Sequence, residues 1–156
     1  SILDHFGLIA AIEWQANEFQ KRTGIRCKVN LEQLDIQFKD PFSTAIFRIF
    51  QETLTNIARH AKASRVDVSL VKIEKNDSNG IDSGFLQLKV SDNGIGLPKG
   101  ELVNPKSLGL IGIRERANSI GANVEFLSNS NGNLTETGEG TTVVLTIPIN
   151  NVKNDA

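Results

Sequence analysis

The octapeptide VSDNGIGL at residues 90–97 closes an apolar, alternating run (Phe85, Leu86, Leu88, Val90) with an acidic residue, an asparagine and two glycines. Asn-Gly is a strong turn signal, because glycine takes positive φ without strain, and a plain turn alone would explain it. The alternative is a strand that ends by presenting the Asp92 carboxylate beside backbone with few side chains, at Gly94 and Gly96. A second candidate lies at residues 40–62. Placed at about 100° per residue, this segment gathers Ile46, Phe50, Leu54, Ile57 and Ala61 on one side. Phe42, Phe47, Ile49 and Ala58 fall at the margins. Glu52, Asn56 and His60 step along the other side, with Arg59 beside them. A polar stripe is usually a solvated face, and cations also suit a helix C-terminus. Yet a mid-helix asparagine is a poor helix former with no evident local purpose. An amide oxygen near a carboxylate suits Mg2+, which keeps several waters and takes few protein ligands. Arg59 and His60 would suit phosphate oxygens.

Two further stretches are glycine-rich. SLGLIGIRER at residues 107–116 leads through Gly109 and Gly112 into a helix, and such a start offers free N–H groups to anionic oxygens. A tight packing turn is the plainer explanation. GEGTT at residues 138–142 opens the last strand, where it could bring the Thr141 hydroxyl near a ligand or simply bend a hairpin. Each signal is weak singly. Their order along the chain is what carries weight. Neither G-x-x-x-x-G-K-[ST] nor a G-x-G-x-x-G after a strand is present, so the two commonest nucleotide motifs are missing.

These residues need a scaffold. Amphipathic spacing predicts a helix over residues 8–24 with a glycine stop. Residues 26–38 look extended. Asp40-Pro41 reads as an N-cap followed by proline at the first helical position, opening a helix to about Lys62. Residues 65–74 and 85–92 read as a hairpin around a polar turn. A loop at 93–107, a short helix to Gly121, and strands at 122–129 and 141–149 complete the pattern. The fold class expected is α+β: a two-layer α/β sandwich with a mixed, mostly antiparallel sheet of about five strands and three helices on one face.

At 156 residues the chain fits one domain, expected over 1–150, with a polar, frayed tail at 151–156. A net charge of -1 gives no pull toward nucleic acid or an anionic membrane. No apolar run approaches the roughly 20 residues needed to span a bilayer, and no signal peptide is evident. The single Cys27 sits in an alternating stretch and reads as a small buried residue, not a nucleophile. One cysteine and two distant histidines, His5 and His60, offer no structural metal site. The start at Ser1, in mid-pattern, suggests a fragment of something longer.

The order of motifs resembles the ATP-binding domain shared by bacterial sensor histidine kinases, DNA gyrase, Hsp90 and MutL, the GHKL or Bergerat fold. FQETLTNIARHAKA looks like its N box, DNGIG its G1 box, GLIGIRER its G2 region and GEGTT its closing Gly-Thr motif. The opening SILDHFGLIAAIEW and the later GLIGIRERA are most similar to the histidine kinases paired with LuxR-type response regulators, the nitrate-sensor and DesK-like group. The match covers about residues 3–148.

The resemblance implies a protein histidine kinase domain that binds ATP and Mg2+ and transfers the γ-phosphoryl group to a histidine on a separate dimerisation helix. Asp92 would accept a hydrogen bond from the adenine amine, with Thr141 near the same ring edge. Gly94 and Gly96 would let the backbone turn under the base. Asn56 would hold Mg2+, and Glu52 would orient the metal's water shell or the nucleophile. Arg59 and His60 would approach the phosphates, where Gly109 and Gly112 let the helix N-terminus close. Residues 97–108, from Leu97 to Leu108 and on to Leu110, would form and flank an ATP lid. The implied partners are the dimerisation helices and a response regulator. Nucleic acid and direct membrane contact are not implied. The setting would be cytoplasmic, with a parent protein that could be membrane-anchored. The acceptor histidine would lie before residue 1; His5 and His60 match other family positions. The lid phenylalanine of many histidine kinases is absent, which fits the short lid of this subgroup. The fragment alone is therefore expected to bind ATP without phosphorylating itself. The rivals are a GHKL-type ATPase, with Glu52 activating water, and an anti-sigma-like serine kinase or nucleotide-holding module.

Overall fold

The structure is a computed structural model that describes residues 2–34, 37–75, 83–96, 109–128 and 140–152. Helix α1 (Ile2–Thr23) is interrupted at Gly7, where φ is 84° and ψ 178°. Its regular part therefore begins at Leu8, as the amphipathic spacing predicts. It ends where Gly24 turns left-handed at φ 75° and donates its N–H to Gln20. Strand β1 (Arg26–Leu31) follows. It is shorter than the extended stretch expected, because its pairing with the next strand stops at Leu31–Leu70.

Helix α2 (Phe42–Asn56) runs into a π-helical segment, Ile57–Ala61, that ends at Lys62 in the left-handed region. Its start differs by one residue from the expectation: Pro41 holds the cap position and Phe42 is the first helical residue. Asp40 still serves the first turn, accepting bonds from the hydroxyls of Ser43 and Thr44. The rest is β2 (Arg65–Lys75), β3 (Ser83–Asp92), α3 (Leu110–Ser119), β4 (Asn123–Ser128), β5 (Thr141–Pro148) and a single turn, α4 (Ile149–Val152). Residues 151 and 152 continue this turn, and Val152 is buried in the core.

The strands form one five-stranded sheet in the order β1-β2-β3-β5-β4. Only β1–β2 is parallel; the other three pairings are antiparallel. Register fixes which side chains share a face, because they alternate along a strand. Val66, Val68 and Leu70 of β2 stand beside Asp92, Val90 and Leu88 of β3, and the last two beside Val143 and Leu145 of β5. That face packs on Ile12 and Phe19 of α1, Ile46, Phe50 and Leu54 of α2, and Ile113 of α3, all nearly or fully buried. Cys27 lies half-buried at the edge of this face; burial and the nearby Asp67 charge push its thiol up to about 11, so it stays protonated and unreactive.

Candidate functional site

On β3 the inward set is Leu86, Leu88 and Val90, at 1, 3 and 2% exposure, and the next inward position is Asp92. Strand alternation therefore carries a carboxylate onto the core face at the end of the strand. Asp92 is 6% exposed. Its Oδ1 accepts the N–H of Gly94 at 2.8 Å, and the backbone N–H of Thr141 also donates to the carboxylate. Burial raises the Asp92 pKa above the ordinary carboxylate value, and the two N–H bonds work against that rise.

The backbone around Asp92 is held on three sides. Ile95 donates its N–H to the Ala61 carbonyl at 2.8 Å, and Gly140 donates to the Gly94 carbonyl at 2.8 Å. Asn93 Oδ1 accepts the N–H groups of Ser64 and Arg65, both at 2.9 Å, while its Nδ2 donates to Ser64 Oγ at 2.8 Å. Gly94 is required by space: a Cβ there would overlap the Ala61 carbonyl. The positive φ anticipated for this motif falls instead on Gly96, at 79°.

Where the end of α2, the end of β3 and the start of β5 meet, the structure leaves a cavity of about 280 Å³. Asn56 and His60 line it from the helix side, Asp92 and Gly96 from the β3 side, Leu110 from the start of α3 and Thr141 from β5. Six of the expected site residues thus share one cavity. Glu52, Arg59, Gly94, Gly109 and Gly112 do not line it. Gly94 supports Asp92 from behind. Arg59 is exposed. Gly109, left-handed at φ 65°, caps α3. Leu97 and Leu108, with the whole of the expected lid between them, lie outside the described residues.

The rest of the cavity wall was not assigned to the site from sequence: Thr53 and the apolar Ile57, Ala61, Ile95, Phe126 and Val143. At about 100° per residue Ile57 lies beside His60, three positions on, and Ala61 a quarter-turn or so from it, so the Ile57–Ala61 segment brings apolar and polar side chains to the same cavity. Phe126 and Val143 are cross-strand partners on the core face, a pairing that depends on register. The Arg114 guanidinium covers Phe126 at 5.1 Å from the ring centroid.

One turn before Asn56, Glu52 Oε1 accepts Arg116 Nη2 of α3 at 3.1 Å, while Glu52 Oε2 is buried and, among the described residues, has no hydrogen-bond partner. Among the described residues no three His, Cys, Asp or Glu side chains converge. A cation here would therefore rest chiefly on the Asn56 amide and on oxygens of ligand and water. An apolar slot with one buried carboxylate at its end fits a flat, uncharged heterocycle bearing an N–H donor. The polar end of the helix fits its anionic tail.

Comparison with known proteins agrees with this arrangement. Residues 42–151 match the family described as histidine kinase-, DNA gyrase B-, and HSP90-like ATPase. The chain is 32% identical over 149 residues to the oxygen sensor histidine kinase NreB of Staphylococcus carnosus, covering 96% of this chain and 38% of that protein. It is 34% identical over 147 residues to the sensor histidine kinase LiaS of Bacillus subtilis, covering 94% and 36%. The chain thus spans less than two fifths of the length of these relatives. The fold is shared with the ATP binding domain of PrrB from Mycobacterium tuberculosis, at TM-score 0.60 and 21% identity over 88% of this chain and 90% of that one. The chain belongs to the histidine kinase-, DNA gyrase B- and HSP90-like ATPase family.

Proposed function

We propose that this chain is the ATP-binding catalytic domain of a bacterial two-component sensor histidine kinase. In this reading it takes Mg-ATP and donates the γ-phosphoryl group to a histidine on a dimerisation helix. The observation that carries the reading is the position of Asp92: an inward carboxylate, 6% exposed, beside Thr141 in a cavity whose wall is largely apolar. A carboxylate held there accepts the exocyclic N–H of adenine, whereas guanine would present a carbonyl oxygen and repel it.

The phosphates lie toward α2 and α3. Asn56 and His60 line the cavity on that side, with Arg59 exposed beside them and Gly109 at the start of α3. Bound Mg2+ would neutralise phosphate charge and orient the oxygens. The residues present suit it: an amide oxygen on the cavity wall, and the unpartnered Glu52 Oε2 one turn away. Glu52 would accept the proton of, or orient, the attacking nucleophile. The protein's own work is positioning and charge neutralisation, with little covalent chemistry. Leu97, Leu108 and Leu110 would flank the lid over the nucleotide. The domain would comprise residues 1–150 and the short segment packed after it. The acceptor helices and a response regulator of LuxR type would be its partners, in the cytoplasm.

The test is to incubate this chain with γ-labelled ATP, Mg2+ and the dimerisation helices of the parent kinase. Acid-labile label on a histidine of those helices is expected. Free phosphate without phosphohistidine would instead support a GHKL-type ATPase, and label on serine of a partner an anti-sigma-like kinase.

A further inference from the structure

Glu52 and Arg116 form an ion pair between α2 and α3 that uses half of its capacity. Arg116 Nη2 lies 3.1 Å from Glu52 Oε1. The other two atoms, Glu52 Oε2 and Arg116 Nε, are buried and have no hydrogen-bond partner among the described residues. A guanidinium and a carboxylate that serve only to bridge two helices gain most by closing both bonds side by side. Buried donors and acceptors are normally satisfied, so two orphans on the two members of one pair need a reason. Gly112 supplies part of it. It faces the same carboxylate, and a Cβ there would stand 3.7 Å from Glu52 Oε2. A side chain at 112 would pack against the atom; the glycine leaves that contact unmade.

We infer that Arg116 is a positioning residue: it grips Glu52 by Oε1 and holds Oε2 free for the group whose proton Glu52 takes or orients. This rests on the role given to Glu52 above. Arg116 does not line the cavity, so its effect passes through Glu52. The contact uses one donor, so a lysine can replace it in part, which a bidentate fork would not allow.

The experiment measures phosphoryl transfer and ATP affinity in the full-length parent kinase, for the wild type, Arg116→Gln, Arg116→Lys, Glu52→Gln and the double variant Arg116→Gln/Glu52→Gln. Arg116→Gln should slow transfer about tenfold or more, with KM for ATP changed less than about twofold. Arg116→Lys should recover part of the rate. The double variant should be no slower than Glu52→Gln alone, because Arg116 has then lost the group it positions. Thermal unfolding separates this from a helix bridge, which would lower Tm in all Arg116 variants without a split between rate and KM. A wild-type rate in Arg116→Gln, or additive losses in the double variant, overturns the inference. If Arg116→Gln fails to fold, Arg116→Lys in the wild-type and Glu52→Gln backgrounds decides by the same additivity. If the wild type binds ATP but Glu52→Gln transfers phosphate normally, the role of Glu52 falls, and this inference with it.

Discussion

Ala61 and Gly94 meet backbone to backbone: the Ala61 carbonyl oxygen occupies the place that a side chain on Gly94 would need. The same carbonyl accepts the N–H of Ile95, and Gly94 donates to Asp92. The end of the second helix thereby fixes the turn that aims the carboxylate. This junction, more than any one motif residue, makes the cavity.

Gly94→Ala should therefore cost more than an ordinary glycine replacement. The new methyl group must displace backbone, and overpacking of this kind costs about 1–3 kcal/mol. Urea unfolding should show that loss together with weakened ATP binding. Wild-type stability in the variant would mean that the Ala61–Gly94 approach is not obligatory.

Asn93→Ala removes three bonds, to the N–H groups of Ser64 and Arg65 and to Ser64 Oγ. Water replaces part of what is lost at this half-exposed site, so about 1–2 kcal/mol is expected. Nucleotide affinity should fall as well, because the latch holds the turn after Asp92. An unchanged denaturation midpoint would contradict this role.

Asp92 also sets a pH dependence. Its folded pKa is raised, by burial above all, so the folded protein holds the proton more tightly than the unfolded chain does. Ionisation of this group therefore costs stability. The cost is absent below the ordinary carboxylate range and is complete once pH has risen past the raised, folded value. Asp92→Asn, which does not ionise, should be at least as stable as the wild type at neutral pH. The difference should shrink on acidification. Unfolding curves across a pH series check this, and a variant less stable at neutral pH would contradict it.

Asn56→Ala should abolish the Mg2+ dependence of ATP affinity while leaving the adenine end of the site intact. Titrations with metal and with chelator give the readout. Metal dependence equal to the wild type would remove Asn56 from the cation site.

Much of this was legible in the sequence for reasons that are local. Alternation in Leu86, Leu88, Val90 and Asp92 is enough to put the carboxylate on the buried face, because strand period is fixed. Proline located the start of α2 to within a residue, and glycine the end of α1. What was hidden is non-local. Phe126 and Val143 join the cavity wall through cross-strand register. Arg116 reaches Glu52 across 64 residues of chain. The π-helical segment at Ile57–Ala61 has no simple sequence signature. At Gly94 the residue type was readable but the cause was not: a close approach looks the same in sequence as a positive φ.

The most direct test of the central claim, that Asp92 makes this cavity an adenine site, is calorimetric titration of ATP and of GTP, each with Mg2+, into the wild-type chain and into Asp92→Asn. The account predicts that the wild type binds ATP and not GTP, and that the folded Asn variant loses ATP binding. ATP binding of equal strength in both proteins, or no preference for ATP over GTP, would contradict it.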